Sequence, residues 1–229
     1  MSLSDILITP DVPECNQVRY DFMARWESDA VGRLQAAAVQ LYRDPGYDKV
    51  TVANIAARAG LTRRTFFRYF ADKREVLFFG TEKFQAFVVE GVLAAPEGTP
   101  ALAAVAAGLA PIAQRSDNDP AIADYVRQRH VLIQTYAELR EREHAKHASL
   151  ASAIAGALRK RGVSQTPARL AAETAISAFT VGVEEWVDDP KRRKMGYHVR
   201  EAMGTLGALV LEQVDAKRAS GKSRQRASK

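Results

Sequence analysis

Between Thr51 and Phe70 two short helical patterns, each preceded by a threonine, are joined across a single glycine, and no other stretch constrains the fold as tightly. A threonine ahead of such a pattern is a good N-cap, because its hydroxyl accepts from a backbone N–H that the first turn leaves without a partner. Thr51 precedes Val52, Ile55, Ala56 and Ala59, and Gly60 ends that run; Thr62 precedes a second run that reaches about Phe70. Two helices of roughly two turns joined through Ala-Gly-Leu have helix-turn-helix geometry. Gly60 suits the position that turns the chain with positive φ. Ile55, Ala56, Ala59 and Leu61 can bury the angle between the helices, while Phe66 and Phe70 dock the second helix on its support.

The second helix carries its cations opposite that docking face. At about 100° per residue Phe66 and Phe70 share one side, and Arg64, Thr65 and Arg68 lie across from it. Arg63 sits at the N-terminal tip, the end that approaches base edges in such motifs. Arginine donates two hydrogen bonds to guanine O6 and N7, so Arg63 and Arg64 are the candidates for base readout. Thr51, Thr65, Tyr69 and Lys73 are expected on phosphates, together with N–H groups at the helix starts. With Thr62 and Arg68 they complete the candidate DNA-contacting set. A solvated arginine face is the bland alternative. Against it, caps, glycine turn and one-sided basic face coincide in order and spacing.

The wider charge pattern agrees. The formal net charge is +6, and between Arg58 and Arg74 lie Arg63, Arg64, Arg68 and Lys73 against the single acid Asp72. A second basic cluster, Lys217, Arg218, Lys222, Arg224, Arg226 and Lys229, closes the chain. Both suit a polyanionic partner. The single cysteine, Cys15, excludes an intramolecular disulfide framework and fits a reducing compartment. With no signal-like N-terminus and no apolar run long enough for a bilayer, a cytoplasmic location and no membrane partner are expected.

Elsewhere the chain reads as all-α. Residues 1–25 are expected to form a loosely ordered arm interrupted by Pro10 and Pro13, with Met23 as an alternative translation start. A first helix is expected from an N-cap at Ser28, with Val31, Leu34, Ala38 and Leu41 buried and Pro45-Gly46 as its stop. Asp72 and Glu75 suggest a capping box opening a longer helix, with Leu77, Thr81, Phe84, Val88 and Val92 on one stripe. Further helices are expected at about 101–114, 121–136, 138–161, 168–187 and 195–217, the fourth capped by Thr166 with Pro167 in its first position. The domain reading is 26–72 for DNA binding, 73–217 for a helical bundle and 218–229 for a basic, disordered tail.

The stretch GYDKVTVANIAARAGLTRRTFFRYFADKREVL, Gly46 to Leu77, resembles the N-terminal signature of the TetR family of transcriptional regulators. The resemblance covers residues 28–77; beyond them only helix count and length agree. It implies a three-helix DNA-binding domain followed by a variable helical domain for effector binding and dimerisation. The leading reading is a repressor that binds a palindromic operator as a dimer and is released by a small-molecule effector, with activation left open. Arg63, Arg64 and Thr65 map onto base- and phosphate-reading positions, Phe67 and Tyr69 near the backbone, and Lys73 onto a phosphate-binding lysine. Position 67 departs from the family's usual tyrosine, and Phe67 lacks the hydroxyl that would bond phosphate; it is left out of the candidate set.

The C-terminal helices offer less. In 168–187, Ala172, Ile176, Phe179, Val183 and Trp186 form a bulky stripe, and Ala171, Ala175, Ala178 and Gly182 a small-residue one. With Gly204 and Gly207 of the last helix, the small stripe is a candidate homodimer interface, intrachain core being the alternative. Phe84, Phe87, Arg129, His130, Phe179 and Trp186 are the candidates for binding an unknown small-molecule effector. Core packing, with Arg129 and His130 satisfied by carbonyls or acids, is the competing reading. His144 and His147 lack a third ligand, so no metal is expected, nor any other cofactor. No catalytic signature is present, so the enzyme reading has little support. A sequence-tolerant DNA-coating protein that uses the basic tail remains an alternative, as does a helical enzyme or carrier with a vestigial motif.

Overall fold

The computed structural model describes residues 30–209. The N-terminal arm, Met23, the Ser28 cap, Val210 and the basic tail lie outside the described residues. Helices α1 (Ala30–Leu41), α2 (Val52–Arg58), α3 (Arg63–Tyr69), α4 (Thr81–Ala94), α5 (Ala101–Asn118), α6 (Pro120–Thr135), α7 (Ala137–Lys160) and α8 (Gln165–Asp188) follow in order. Residues 195–209 form α9. Among the described residues no strand occurs, and the all-α class holds.

The chain divides into two compact units. One contains Gly91–Asn118 and the residues from Ile154 onward; the other runs to Glu90 and resumes over Asp119–Ala153. In the latter, α1, α2 and α3 close around Leu34, Tyr42, Ile55 and Phe66, each fully buried. Leu132 and Ile133 of α6 and Leu139 of α7 join the same core. Burying a side chain of this size contributes about 1.5–3 kcal/mol, so α6 and α7 add to the stability of this unit. Helix α1 gives way to a π turn, Tyr42–Gly46, where Pro45 supplies no N–H and Gly46 takes φ +95°.

Two helix starts differ from the sequence reading. The helix expected from Asp72 is a 3-10 turn, Glu75–Phe78, and α4 begins only at Thr81. Val76, Leu77 and Phe78 are consecutive and all buried, which no single helical stripe allows, and Gly80 at φ +82° separates the turn from α4. Asp72 does cap that turn, accepting from the N–H groups of Arg74 and Glu75. The Glu75 carboxylate, however, binds Arg142 and Lys146 of α7 and does not reach back to close a box. Helix α8 starts at Gln165 with Ser164 as its cap residue, so Thr166 is already inside the helix. Proline is tolerated throughout a first turn, whose N–H groups have no intrahelical partner.

In the other unit α5 packs against α8. A Cβ on Gly91 would lie 2.9 Å from the Gly108 Cα, and one on Gly182 would lie 2.6 Å from the Val199 Cα. The α8–α9 link is organised by Asp189, whose carboxylate accepts from the Lys191 and Arg193 N–H groups and the Arg193 guanidinium, with His198 Nε2 at 2.9 Å. The bond from Arg193, ahead of the other contacts, holds this carboxyl well below the usual carboxylate range.

Gly182→Ala forces a methyl against the Val199 backbone and is expected to destabilise the fold by about 1–3 kcal/mol. In Gly204→Ala the added Cβ meets nothing within 4 Å, so that variant should unfold no earlier than the natural chain. Urea midpoints of the two variants check this contrast.

Candidate nucleic-acid interface

The helix-turn-helix is built from satisfied ends. The Thr51 hydroxyl accepts from the Asn54 N–H at 3.2 Å, and Asn54 Oδ1 accepts in return from the Thr51 N–H at 2.9 Å. Asn54 thus completes a capping box that the sequence reading did not include. The Thr62 hydroxyl accepts from the Thr65 N–H at 3.1 Å and shares a hydrogen with the Thr65 hydroxyl at 3.0 Å. Between them Gly60, at φ +68°, donates to Ala57 O at 3.0 Å while Leu61 donates to Ala56 O at 2.8 Å. These are the paired bonds of a Schellman turn, and the left-handed φ is why glycine stands there. Thr51 and Thr62 therefore act first as caps, and Thr65 is the residue that Thr62 caps.

The cations separate into two groups. Arg58 donates to Gln40 Oε1 at 3.0 Å, Arg68 to the Tyr69 hydroxyl at 2.7 Å, and Arg74 pairs with Asp72 at 2.7 Å. Lys73 donates to the carbonyls of Tyr47 at 2.9 Å and Val50 at 3.1 Å, and its ammonium lies 4.0 Å from the Tyr47 ring centroid. Two of its three N–H groups are thereby committed within the fold. Arg63 and Arg64 are exposed and have no hydrogen-bond or ion-pair partner among the described residues. Both guanidiniums therefore stand in solvent on α3, beside cations that are already paired.

The aromatic residues sort likewise. Phe66 and Phe70 are buried, 5.2 Å apart between ring centroids, and Phe70 meets Phe79 at 5.5 Å. Tyr69 is half-buried, its hydroxyl accepting from Arg68, whose guanidinium also lies over its ring. Phe67, left out on sequence grounds, is 51% exposed.

The other candidate residues are less united. Phe84, Phe87, Arg129 and His130 fall in the unit that holds the helix-turn-helix, and Phe179 and Trp186 fall in the other. Arg129 donates to Leu77 O at 2.8 Å and to Glu143 Oε1 at 3.1 Å, and lies over the Phe78 ring. A cleft of about 520 Å³ opens beside α3, lined among others by Tyr69, Phe70, Glu75, Phe78, Arg142 and Lys146. None of the candidate effector residues lines it. Of the candidate interface residues, Ala175, Ala178, Gly182 and Gly207 are buried within the chain, Ala171 is half-buried, and Gly204 is exposed. Among the described residues no group of side chains could hold a metal ion, and no helix is long and apolar enough to cross a membrane.

Lys73→Met leaves two carbonyls without their ammonium donor, at an expected cost of about 1–3 kcal/mol in folding free energy. Arg63→Ala, which removes no bond among the described residues, is expected to stay within about 0.5 kcal/mol of the natural chain. Thermal unfolding of both variants at one pH makes the comparison.

Residues 34–78 match the model of the family described as bacterial regulatory proteins, tetR family. An HTH-type transcriptional regulator of Mycobacterium tuberculosis is 40% identical over 55 residues, covering 24% of this chain and 29% of that protein. The chain thus aligns with less than a third of that relative's length. Among solved structures, the SmeT–triclosan complex superimposes with a TM-score of 0.57 at 17% identity, covering 79% of this chain and 90% of that one. SmeT, described as the repressor of the Stenotrophomonas maltophilia multidrug efflux pump SmeDEF, gives 0.51 at 16% identity over 78% and 88%. At such identities the likeness to SmeT concerns the fold: an N-terminal helix-turn-helix domain with a helical C-terminal domain behind it. Residues 34–78 thus form a helix-turn-helix domain of the TetR family of bacterial regulatory proteins.

Proposed function

We propose that this regulator is a repressor that binds a palindromic operator as a homodimer and is released by a small-molecule effector. The observation that carries the DNA-reading part is that Arg63 and Arg64, on the exposed side of α3, have no partner among the described residues, whereas Arg58, Arg68, Lys73 and Arg74 are engaged. Each guanidinium offers the bidentate fork that matches guanine in the major groove. Thr51, Thr62, Thr65, Arg68, Tyr69 and the remaining N–H of Lys73 take the positioning contacts to phosphate.

Dimerisation is supported by α8. Leu170, 58% exposed, and Val181, 45% exposed, share a stripe with the exposed Glu173 and Ser177. Such a stripe on a helix whose other side is buried suits a second copy of the chain, and a two-fold arrangement sets the reading helices for half-sites about 34–36 Å apart. The effector part rests on the family and on the solved complex of SmeT with triclosan. Its logic is population shift: a ligand that favours a pose unable to span two half-sites lowers operator affinity.

The test is an anisotropy titration of the full chain on a site obtained by genome-wide binding-site mapping, against a random duplex of equal length. Arg64→Ala is expected to cost about 1–3 kcal/mol on the mapped site and little on the random duplex. Unchanged affinity for the mapped site would remove Arg64 from the readout set.

A further inference from the structure

Phe67 is half in water in the middle of a seven-residue helix whose other phenylalanine, Phe66, is fully buried. Leaving an aromatic ring of that size in solvent forgoes apolar burial that contact with a partner would recover. The ring stands edge-on to Phe66, with centroids 5.5 Å apart and planes at 83°, and so rests against a fixed neighbour. At about 100° per residue it lies roughly 40° around the helix from Arg63 and 60° from Arg64. It therefore shares the exposed side with the two arginines that have no acceptor among the described residues.

Phe67 has no hydroxyl for a phosphate and no charge. In the major groove each base pair presents donors and acceptors, and thymine alone adds an apolar group, its C5-methyl. We infer that Phe67 is a specificity-determining residue that reads thymine through this methyl, next to the bases contacted by Arg63 and Arg64. The assignment rests on the DNA-reading role proposed above. It adds a sequence preference that the arginines do not supply, because a guanidinium fork recognises guanine and is indifferent to a methyl two bonds from the pairing edge.

Replacing thymine by deoxyuridine removes the methyl and leaves every hydrogen-bonding group in place. Each thymine of one mapped half-site is replaced in turn, and the same replacement is made in the symmetric half-site. Affinities of the natural chain, Phe67→Ala and Phe67→Leu are measured by anisotropy, with melting temperatures recorded alongside. At one thymine per half-site the natural chain should bind the uridine duplex roughly fourfold more weakly per methyl, the size expected for one buried methyl group. Phe67→Ala, melting near the natural chain, should bind the thymine and uridine duplexes equally; Phe67→Leu should keep part of the discrimination. The inference is overturned if uridine is tolerated at every position, or if both variants retain the full discrimination, which would place Phe67 against the sugar–phosphate backbone. If the natural chain binds the mapped site no better than random DNA, the DNA-reading role itself fails, and that outcome is distinct from indifference to the methyl.

Discussion

Lys73 joins three separate stretches of the helix-turn-helix domain and ties the segment after α3 to them. Its backbone carbonyl accepts from the Tyr42 hydroxyl at 2.5 Å, while its ammonium reaches back to the carbonyls of Tyr47 and Val50. The segment that leaves α3 is thereby tied to the end of α1 and to the approach to α2. The tyrosines extend the tie: Tyr42 and Tyr47 meet edge-on at 5.0 Å, Tyr47 packs on Tyr136 at 5.3 Å, and the Tyr47 hydroxyl donates to Glu138 at 3.0 Å. Burial pushes both phenols up, with Glu138 reinforcing the effect at Tyr47, so both remain neutral donors at physiological pH.

This arrangement gives one kind of side chain two jobs. Arg58, Arg68, Lys73 and Arg74 hold the framework, each on an acceptor inside the domain. Arg63 and Arg64 have none among the described residues. A charge already bonded must exchange one partner for another when DNA arrives, so its net gain is small. A solvated guanidinium gives up only water, and its fork geometry distinguishes guanine from other bases. On the DNA-reading role proposed above, affinity for phosphate is shared across the basic face, whereas selectivity concentrates at the tip of α3.

What the sequence made legible was local. The caps at Thr51 and Thr62 and the turn at Gly60 depend on bonds within three to five residues, and each stands where the spacing places it. Roles set by distant partners were not legible. Lys73 finds Tyr47 and Val50, Arg129 finds Leu77, and Glu75 finds Arg142 across spans that no window of periodicity covers. The turn Glu75–Phe78 was read as helix because Asp72 is a sound cap; three consecutive buried residues, a property of the packed domain, decided otherwise. The small stripe of α8 had two meanings in sequence, and at Gly182 the approaching backbone is that of Val199 in the same chain. Phe67 lacks the hydroxyl of the family's usual tyrosine, and its exposure is a property of the packed domain that no spacing in the sequence carries.

The division of the basic cluster into framework and readout is tested most directly by selecting bound duplexes from a random library. The natural chain and an Arg63→Ala/Arg64→Ala double variant are run in parallel, with melting temperature as the control on folding. The natural chain should enrich an inverted repeat with guanine in each half-site, half-sites one helical turn or a multiple apart. The double variant should melt at the same temperature and lose the guanine preference while still binding DNA at low salt. Enrichment of the same repeat by the double variant would contradict the account, because the sequence would then be read by cations assigned here to the framework.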